Sequence, residues 1–355
     1  MSNTAKQPSK DNQRDEGLVQ YLVSEFVEDY QEGHMTRRDA LKRIAGILGS
    51  LALAENLLAA CAPPAAPAAQ PAATTAPTRP PATSVPLTAT LASPTSAPTA
   101  TSAPQASATT ASGGATGVTI RPDDPTIEAG PAQFQGQGVT ILAYLARPKG
   151  NGPFPAVLVC HENRGLLEHI KDVARRLAKA GYVGLAVDLL SRQGGIDKIA
   201  DAAQVPGLLA NAPAQQLVQD FRDGMTHLQS QSFVAKDRIG MVGFCFGGGV
   251  TWRCATQIPE LKAAVPFYGP NPPLEDVPKI KAAVQAMYGE LDTRITSGAA
   301  AIEAAMQQNN KTFAKIVYPN ASHAFHNDTG ANYNPEAAKD AWAKTLAWFD
   351  KYLRA

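Results

Sequence analysis

The chain has 355 residues, 44% of them apolar and 18% charged, with a formal net charge of +1. Lys and Arg are scattered, so no basic face suggests nucleic acid and no acidic block suggests a charged tail. What remains is a globular chain whose residue types are unevenly distributed, and the unevenness marks out its segments.

Residues 1–34 read as an N-terminal extension, partly disordered, in which Val19, Leu22 and Phe26 recur at near-helical spacing among acids. That spacing predicts a short helix between Leu18 and Tyr30, with no purpose evident from the sequence. Segment 35–61 has the pattern of an export leader. Arg37 and Arg38 stand ahead of a modest apolar run, Ile44 to Leu53, which is too short to span a bilayer comfortably. Twin arginines before such a run resemble a Tat signal. Leu58-Ala59-Ala60-Cys61 then resembles a lipobox, in which the cysteine becomes the acylated first residue of the mature chain. Glu55 and Asn56 interrupt the apolar region, so a cytoplasmic amphipathic helix with a stray cysteine stays open as the alternative. The expectation is an exported, monomeric, extracytoplasmic lipoprotein anchored to a membrane through Cys61.

Residues 62–117 are mostly Ala, Pro, Thr and Ser, a composition that cannot bury enough apolar surface to offset the entropy of ordering a backbone. A disordered linker is expected there. Residues 118–355 follow, about 240 residues, enough for one large domain with its own core.

In that domain Val139–Ala146 alternates as a strand, and Pro155–Cys160 and Tyr182–Asp188 read as strands buried on both faces. Ile170–Lys179 and Phe221–Gln229 have helical spacing. Ile239–Gly243, Ala263–Tyr268, Ala283–Tyr288 and Phe313–Tyr318 are further strands, a helix begins near Gly248, and a last one covers Pro335 to Leu353. This alternation predicts an α/β fold with a mainly parallel central sheet and helices on both faces. Chemistry in such sheets sits beyond the carboxyl ends of the strands.

Reactive residues follow several of those ends. Gly243-Phe244-Cys245-Phe246-Gly247 is a nucleophile elbow with cysteine in the usual place of serine, and the helix after it points its N-terminus at the thiol. Asp292 and then His323 follow later strand ends, in the chain order of an α/β-hydrolase triad. His323 would act as base and Asp292 would orient it, with His326 and Glu290 as their rivals. The backbone amides of Phe246 and Asn163 are the oxyanion candidates. Cys160, His161, His323 and His326 match no strong zinc spacing, so neither metal nor other cofactor is expected. A disulfide between Cys245 and Cys160 would instead make a thiol redox protein.

Taken together, Cys245 within Gly-Phe-Cys-Phe-Gly-Gly, His161-Glu162, Val187-Asp188-Leu189, Tyr268-Gly269 and His323-Ala324-Phe325 resemble the dienelactone hydrolase family over roughly Val139 to Leu353. The resemblance implies Cys245, Asp292 and His323 as triad and Glu162 as the glutamate that meets the resting thiol. It also implies hydrolysis of small esters or lactones, carboxymethylenebutenolidase-like, through an acyl-thioester and without a cofactor. The family's carboxylate-binding arginine and tyrosine have no match in Gly194–Asp220, and Asn327 stands where a second family arginine falls. Arg164 and Arg192 are the substitutes to consider, and a less acidic ester is the expected substrate. The alternative is an exported binding lipoprotein on a catalytically silent hydrolase fold.

Overall fold

The computed structural model describes residues 14–31, 33, 35–60 and 119–354. Cys61 and the segment 62–117 lie outside the described residues. Strands β1 (Ile127–Gln135), β2 (Thr140–Pro148), β3 (Phe154–Cys160), β4 (Val183–Val187), β5 (Val234–Phe244), β6 (Ala263–Phe267), β7 (Ala283–Gly289) and β8 (Phe313–Tyr318) form one 8-stranded sheet. Its order is β1-β2-β4-β3-β5-β6-β7-β8. The β1–β2 and β2–β4 pairs are antiparallel and the remaining pairs parallel. β4, β6 and β7 are buried along their whole length, as parallel strands covered on both faces must be. β1 has no clear strand signature because Gly130 and Pro131 interrupt it. As an edge strand it tolerates a proline that has no N–H to donate.

The helices are α1 (Glu16–Gln31), α2 (Arg37–Leu48), α3 (Leu51–Ala60), α4 (Glu168–Lys179), α5 (Val205–Ala210), α6 (Ala214–Ser230), α7 (Phe246–Gln257), α8 (Thr293–Thr296), α9 (Ala299–Gln308) and α10 (Pro335–Leu353). Strand register shows which face each covers. Gly184, Val157 and Gly240 lie in one row across β4, β3 and β5. Ala174 of α4 crowds Gly184, and Phe349 and Leu353 of α10 crowd Gly240, so α4 and α10 share a face. Val187, Cys160 and Gly243 form a row pointing the other way, where α6 (through Gly224) and α7 (through Thr251) pack. Strand order reverses at β3, which opens a crevice beyond its carboxyl end, between the loops after β3 and β5.

The described residues 14–60 belong to the same compact unit as 119–354. The helix expected between Leu18 and Tyr30 is present as α1, and residues 1–13 of the extension lie outside the described residues. The stripe Leu18, Val19, Leu22 and Phe26 gives α1 an apolar face, and that face is buried. Leu18 lies over Gly249 of α7, and Gly46 of α2 over Gly207 of α5. Among the described residues no helix is long and apolar enough to cross a membrane.

A polar cluster ties the loop after β8 to α4. Asp328 accepts from Arg176 Nη2 at 2.5 Å and pairs with His169 Nδ1 at 2.9 Å. Burial pushes the Asp328 carboxyl up, but the His169 hydrogen bond and the Arg176 charge win and hold it near 2, below its ordinary 3.8. A depressed folded-state value means that the unfolded chain binds the proton more readily. The stabilisation is therefore complete above the ordinary value and is lost as pH falls from about 4 towards 2. Asp328→Asn is expected to lower stability at neutral pH and to flatten this acid limb, read from urea midpoints across pH. An unchanged acid limb would show that Asp328 is not its source.

Candidate active site

β5 ends at Phe244, and Cys245 turns the chain at φ 57°, ψ −122°, before α7 starts at Phe246. Few L-residues adopt such a conformation, and the surroundings enforce it. A Cβ on Gly243 would lie 2.1 Å from the Gly247 carbonyl oxygen, and one on Gly247 would lie 2.5 Å from the His161 carbonyl oxygen. The turn is held by Cys245 N–H donating to Phe267 O at 3.1 Å and Gly248 N–H donating to Cys245 O at 2.8 Å. The thiol thus stands at the N-terminus of α7, where the helix dipole favours negative charge. Cys245 is only 3% exposed.

The loops after β7 and β8 bring Asp292 and His323 to the same place. His323 Nδ1 lies 2.6 Å from Asp292 Oδ2. Burial disfavours the imidazolium, but the Asp292 carboxylate and this hydrogen bond overcome it and hold His323 well above its ordinary value. The rivals go elsewhere. His326 is buried flat against Phe244, ring centroids 5.1 Å apart, and burial pushes it well down. Glu290 accepts from the Asn320 amide.

The crevice side holds Glu162 and Asn163. Among the described residues, neither the Asn163 nor the Phe246 amide donates a hydrogen bond, so both are available to an oxyanion. The resemblance led to the expectation that Glu162 meets the resting thiol, and here the structure differs. Glu162 Oε2 accepts from Asn327 Nδ2 at 2.6 Å, and no hydrogen bond joins Glu162 to Cys245. The asparagine at the family's arginine position takes up that carboxylate, which acts on the thiol through its charge alone. The carboxylate on the sulfur is Glu25 of α1, its oxygens 3.6 and 3.7 Å from Sγ. Tyr21 Oη, one turn earlier, is 3.1 Å from Sγ and 3.3 Å from His323 Nε2. Burial, then the Glu25 charge, raise the Cys245 thiol, while His323 lowers it.

Sequence reasoning missed Tyr21, Glu25 and Arg294. Tyr21 and Glu25 are four apart on the expected helix, so their common face was legible, but nothing local says what it faces. Arg294 lies with its guanidinium 4.7 Å over the Tyr21 ring and donates to Glu28 at 2.9 Å. Of the substitutes considered for a substrate carboxylate, Arg192 is paired with Asp220 at 2.7 and 2.9 Å, and Arg164 is exposed.

The disulfide that the redox alternative requires is not present, since Cys160, Cys245 and Cys254 are all free. His161 is used structurally, contacting Glu162 O and accepting from the Leu189 amide. Among the described residues, the zinc-type donors that converge are Glu25, Cys245 and His323, all within 4.8 Å of one another.

An eight-stranded, mostly parallel sheet with a reactive residue on a strained turn before a central helix is the α/β-hydrolase fold. The sequence profile of the dienelactone hydrolase family matches residues 141–353, and the chain belongs to that family. A protein of Methylorubrum extorquens named "Putative carboxymethylenebutenolidase" is 35% identical over 246 residues, covering 66% of this chain and 84% of its own. One of Escherichia coli O157:H7 with the same name is 36% identical over the same length and is 90% covered. A crystal structure from Klebsiella pneumoniae, described as a "Putative Dienelactone Hydrolase", is 36% identical, with TM-score 0.60 over 64% of this chain and 99% of that one.

The elbow itself can be tested. Gly247→Ala forces a methyl group against backbone and is expected to cost about 2 kcal/mol or more, as overpacking does. Gly130→Ala, with open space around it, should be nearly neutral. Denaturant unfolding measures both, and a neutral Gly247→Ala would mean that the elbow relaxes easily.

Proposed function

We propose that this hydrolase cleaves small esters or lactones by covalent catalysis at Cys245. The observation that carries the reading is the 2.6 Å contact of His323 with Asp292, set beside a thiol on an enforced elbow. His323 takes the thiol proton as sulfur bonds to the carbonyl carbon, and the oxyanion accepts from the amides of Phe246 and Asn163. Collapse breaks the ester C–O bond, and His323 returns the proton to the departing oxygen. Water, deprotonated by His323, then attacks the thioester and releases the acid and the thiol. Asp292 stabilises the imidazolium throughout. The relatives named as carboxymethylenebutenolidases support a lactone or activated ester over an amide.

The test is exposure of the full chain, and of its Tyr21→Ala/Glu25→Ala variant, to p-nitrophenyl acetate and to a dienelactone. Mass detection of an acyl group on Cys245 is the readout. An adduct with turnover is expected in at least one of the two forms and is absent once Cys245→Ala is added, and Asp292→Asn should lower kcat by roughly 10³ to 10⁴. Turnover that survives Cys245→Ala would rule out the mechanism, and a folded, reduced protein with no adduct in either form would favour a silent binding fold. The ratio of the two rates bears on the expectation of a less acidic substrate.

We also propose that residues 35–61 direct export and that Cys61 carries a lipid anchor, supported by Arg37-Arg38 and by Leu58-Ala59-Ala60-Cys61. Arg37→Lys/Arg38→Lys should retain the protein in the cytoplasm, and Cys61→Ala should abolish labelling by a fatty-acid analogue. Normal export of the first variant, or undiminished labelling of the second, contradicts the corresponding part.

A further inference from the structure

Helix α1 lies across the site. Its inner face is closed in, with Tyr21 5%, Leu22 0%, Glu25 8% and Phe26 2% exposed. Both ends are fastened. At the start, Asp15 pairs with Arg253 of α7, and its Oδ1 accepts from the amides of Gly17 and Leu18 at 3.0 and 3.2 Å. Towards the end, Glu28 accepts from Arg294, whose guanidinium covers the Tyr21 ring, and Arg43 lies 5.4 Å over Phe26.

The helix occupies the positions that an ester needs. A carbonyl carbon must approach Sγ, its oxygen must reach the amides of Phe246 and Asn163, and the leaving oxygen must face His323 Nε2. Tyr21 Oη fills the space between Sγ and Nε2, within hydrogen-bond reach of both. Glu25 takes the Asn163 side chain at 2.6 Å and sets a carboxylate on the thiol. Of the groups facing the sulfur, His323 favours the thiolate while Glu25 and Glu162 oppose it. The Tyr21 hydroxyl, held protonated by burial and then by the Cys245 and Glu25 charges, fills the remaining place. A thioester on Cys245 has no room with Tyr21 there.

We propose that α1 is an inhibitory prosegment, closing the Cys245–His323 cleft with Tyr21 and Glu25 until a cut in the chain after it lets it leave. The inference rests on the reading of Cys245 and His323 as the reacting pair. Because α1 precedes Arg37-Arg38 and Cys61, cleavage before Cys61 would discard it together with the leader. Export and activation would then be one event.

The test uses the full chain with a protease site inserted within residues 62–117, cut after folding and separated from its N-terminal piece. The uncut Tyr21→Ala/Glu25→Ala variant is run beside it. Iodoacetamide labelling of Cys245 is followed by peptide mass, with the buried Cys160 and Cys254 as internal standards, and p-nitrophenyl acetate turnover is read in parallel. Both treatments are expected to raise Cys245 labelling roughly tenfold or more near pH 8. Glu25→Gln alone should move the labelling midpoint to lower pH, because it removes a negative charge from beside the thiol. A peptide of residues 14–33 added to the cut protein should restore protection. Faster labelling without ester turnover would keep the plug and reject the hydrolase mechanism. Turnover present, with labelling and turnover both within about twofold of the uncut chain and circular dichroism unchanged, would overturn the plug and leave the mechanism standing. Loss of turnover on removing Tyr21 and Glu25 from a folded protein would also overturn it, since those groups would then serve the reaction.

Discussion

At the end of β5 the chain has no room for a side chain two residues before or two residues after Cys245: a methyl on Gly243 meets the Gly247 carbonyl, and one on Gly247 meets the His161 carbonyl. The second contact is the more consequential one. It brings the start of α7 against the end of β3, so the amide after Cys245 and the amides after β3 face one small space. The parallel pairing of β3, β5, β6 and β7 brings the following loops out at the same edge of the sheet. His323, with Asp292 on its Nδ1, comes to the sulfur's side of the sheet because β7 and β8 end in step with β5. If the elbow relaxed, the Phe246 and Asn163 amides and the imidazole would lose their common focus.

Charge then determines the state of the sulfur. The helix N-terminus and His323 favour a thiolate, but burial and the Glu25 and Glu162 carboxylates work against it. Glu162 is drawn off by Asn327, so the balance turns on Glu25. Arg294 could relieve this repulsion, yet it is engaged by the Tyr21 ring and Glu28. Each group that would activate the thiol is thus either opposed or occupied by a group on α1.

Much of the fold is legible in the sequence because buried parallel strands are short, continuous apolar runs. Ala263–Phe267 and Phe313–Tyr318 are bounded in the sequence almost as they are in the sheet. β1 is hidden by Gly130 and Pro131, since an edge strand paired on one side requires little of its residues. β5 runs longer than its apolar core, because its first residues, Val234 to Arg238, are mostly outside the buried region. The site residues on strand-end loops could be singled out because chain order and strand ends constrain them. Tyr21 could not be: it lies 224 residues before the sulfur it touches, and helical spacing reveals a buried face but not what covers it. The same limit hid Asn327 from Glu162, 165 residues away.

The boundary of the family bears on what α1 is for. The family profile begins at residue 141 and includes Glu162, Cys245, Asp292 and His323, whereas Tyr21 and Glu25 precede it by more than a hundred residues. Chemistry common to the family must be complete within the matched part, so groups supplied by α1 can only modify it. A helix that added a productive group would leave the carbonyl position open. This one places a hydroxyl between thiol and imidazole and a carboxylate on the thiol, contacts a reacting ester would have to displace. A segment with that placement, ahead of the proposed leader whose removal would carry it away, fits a restraint better than a working part of the site.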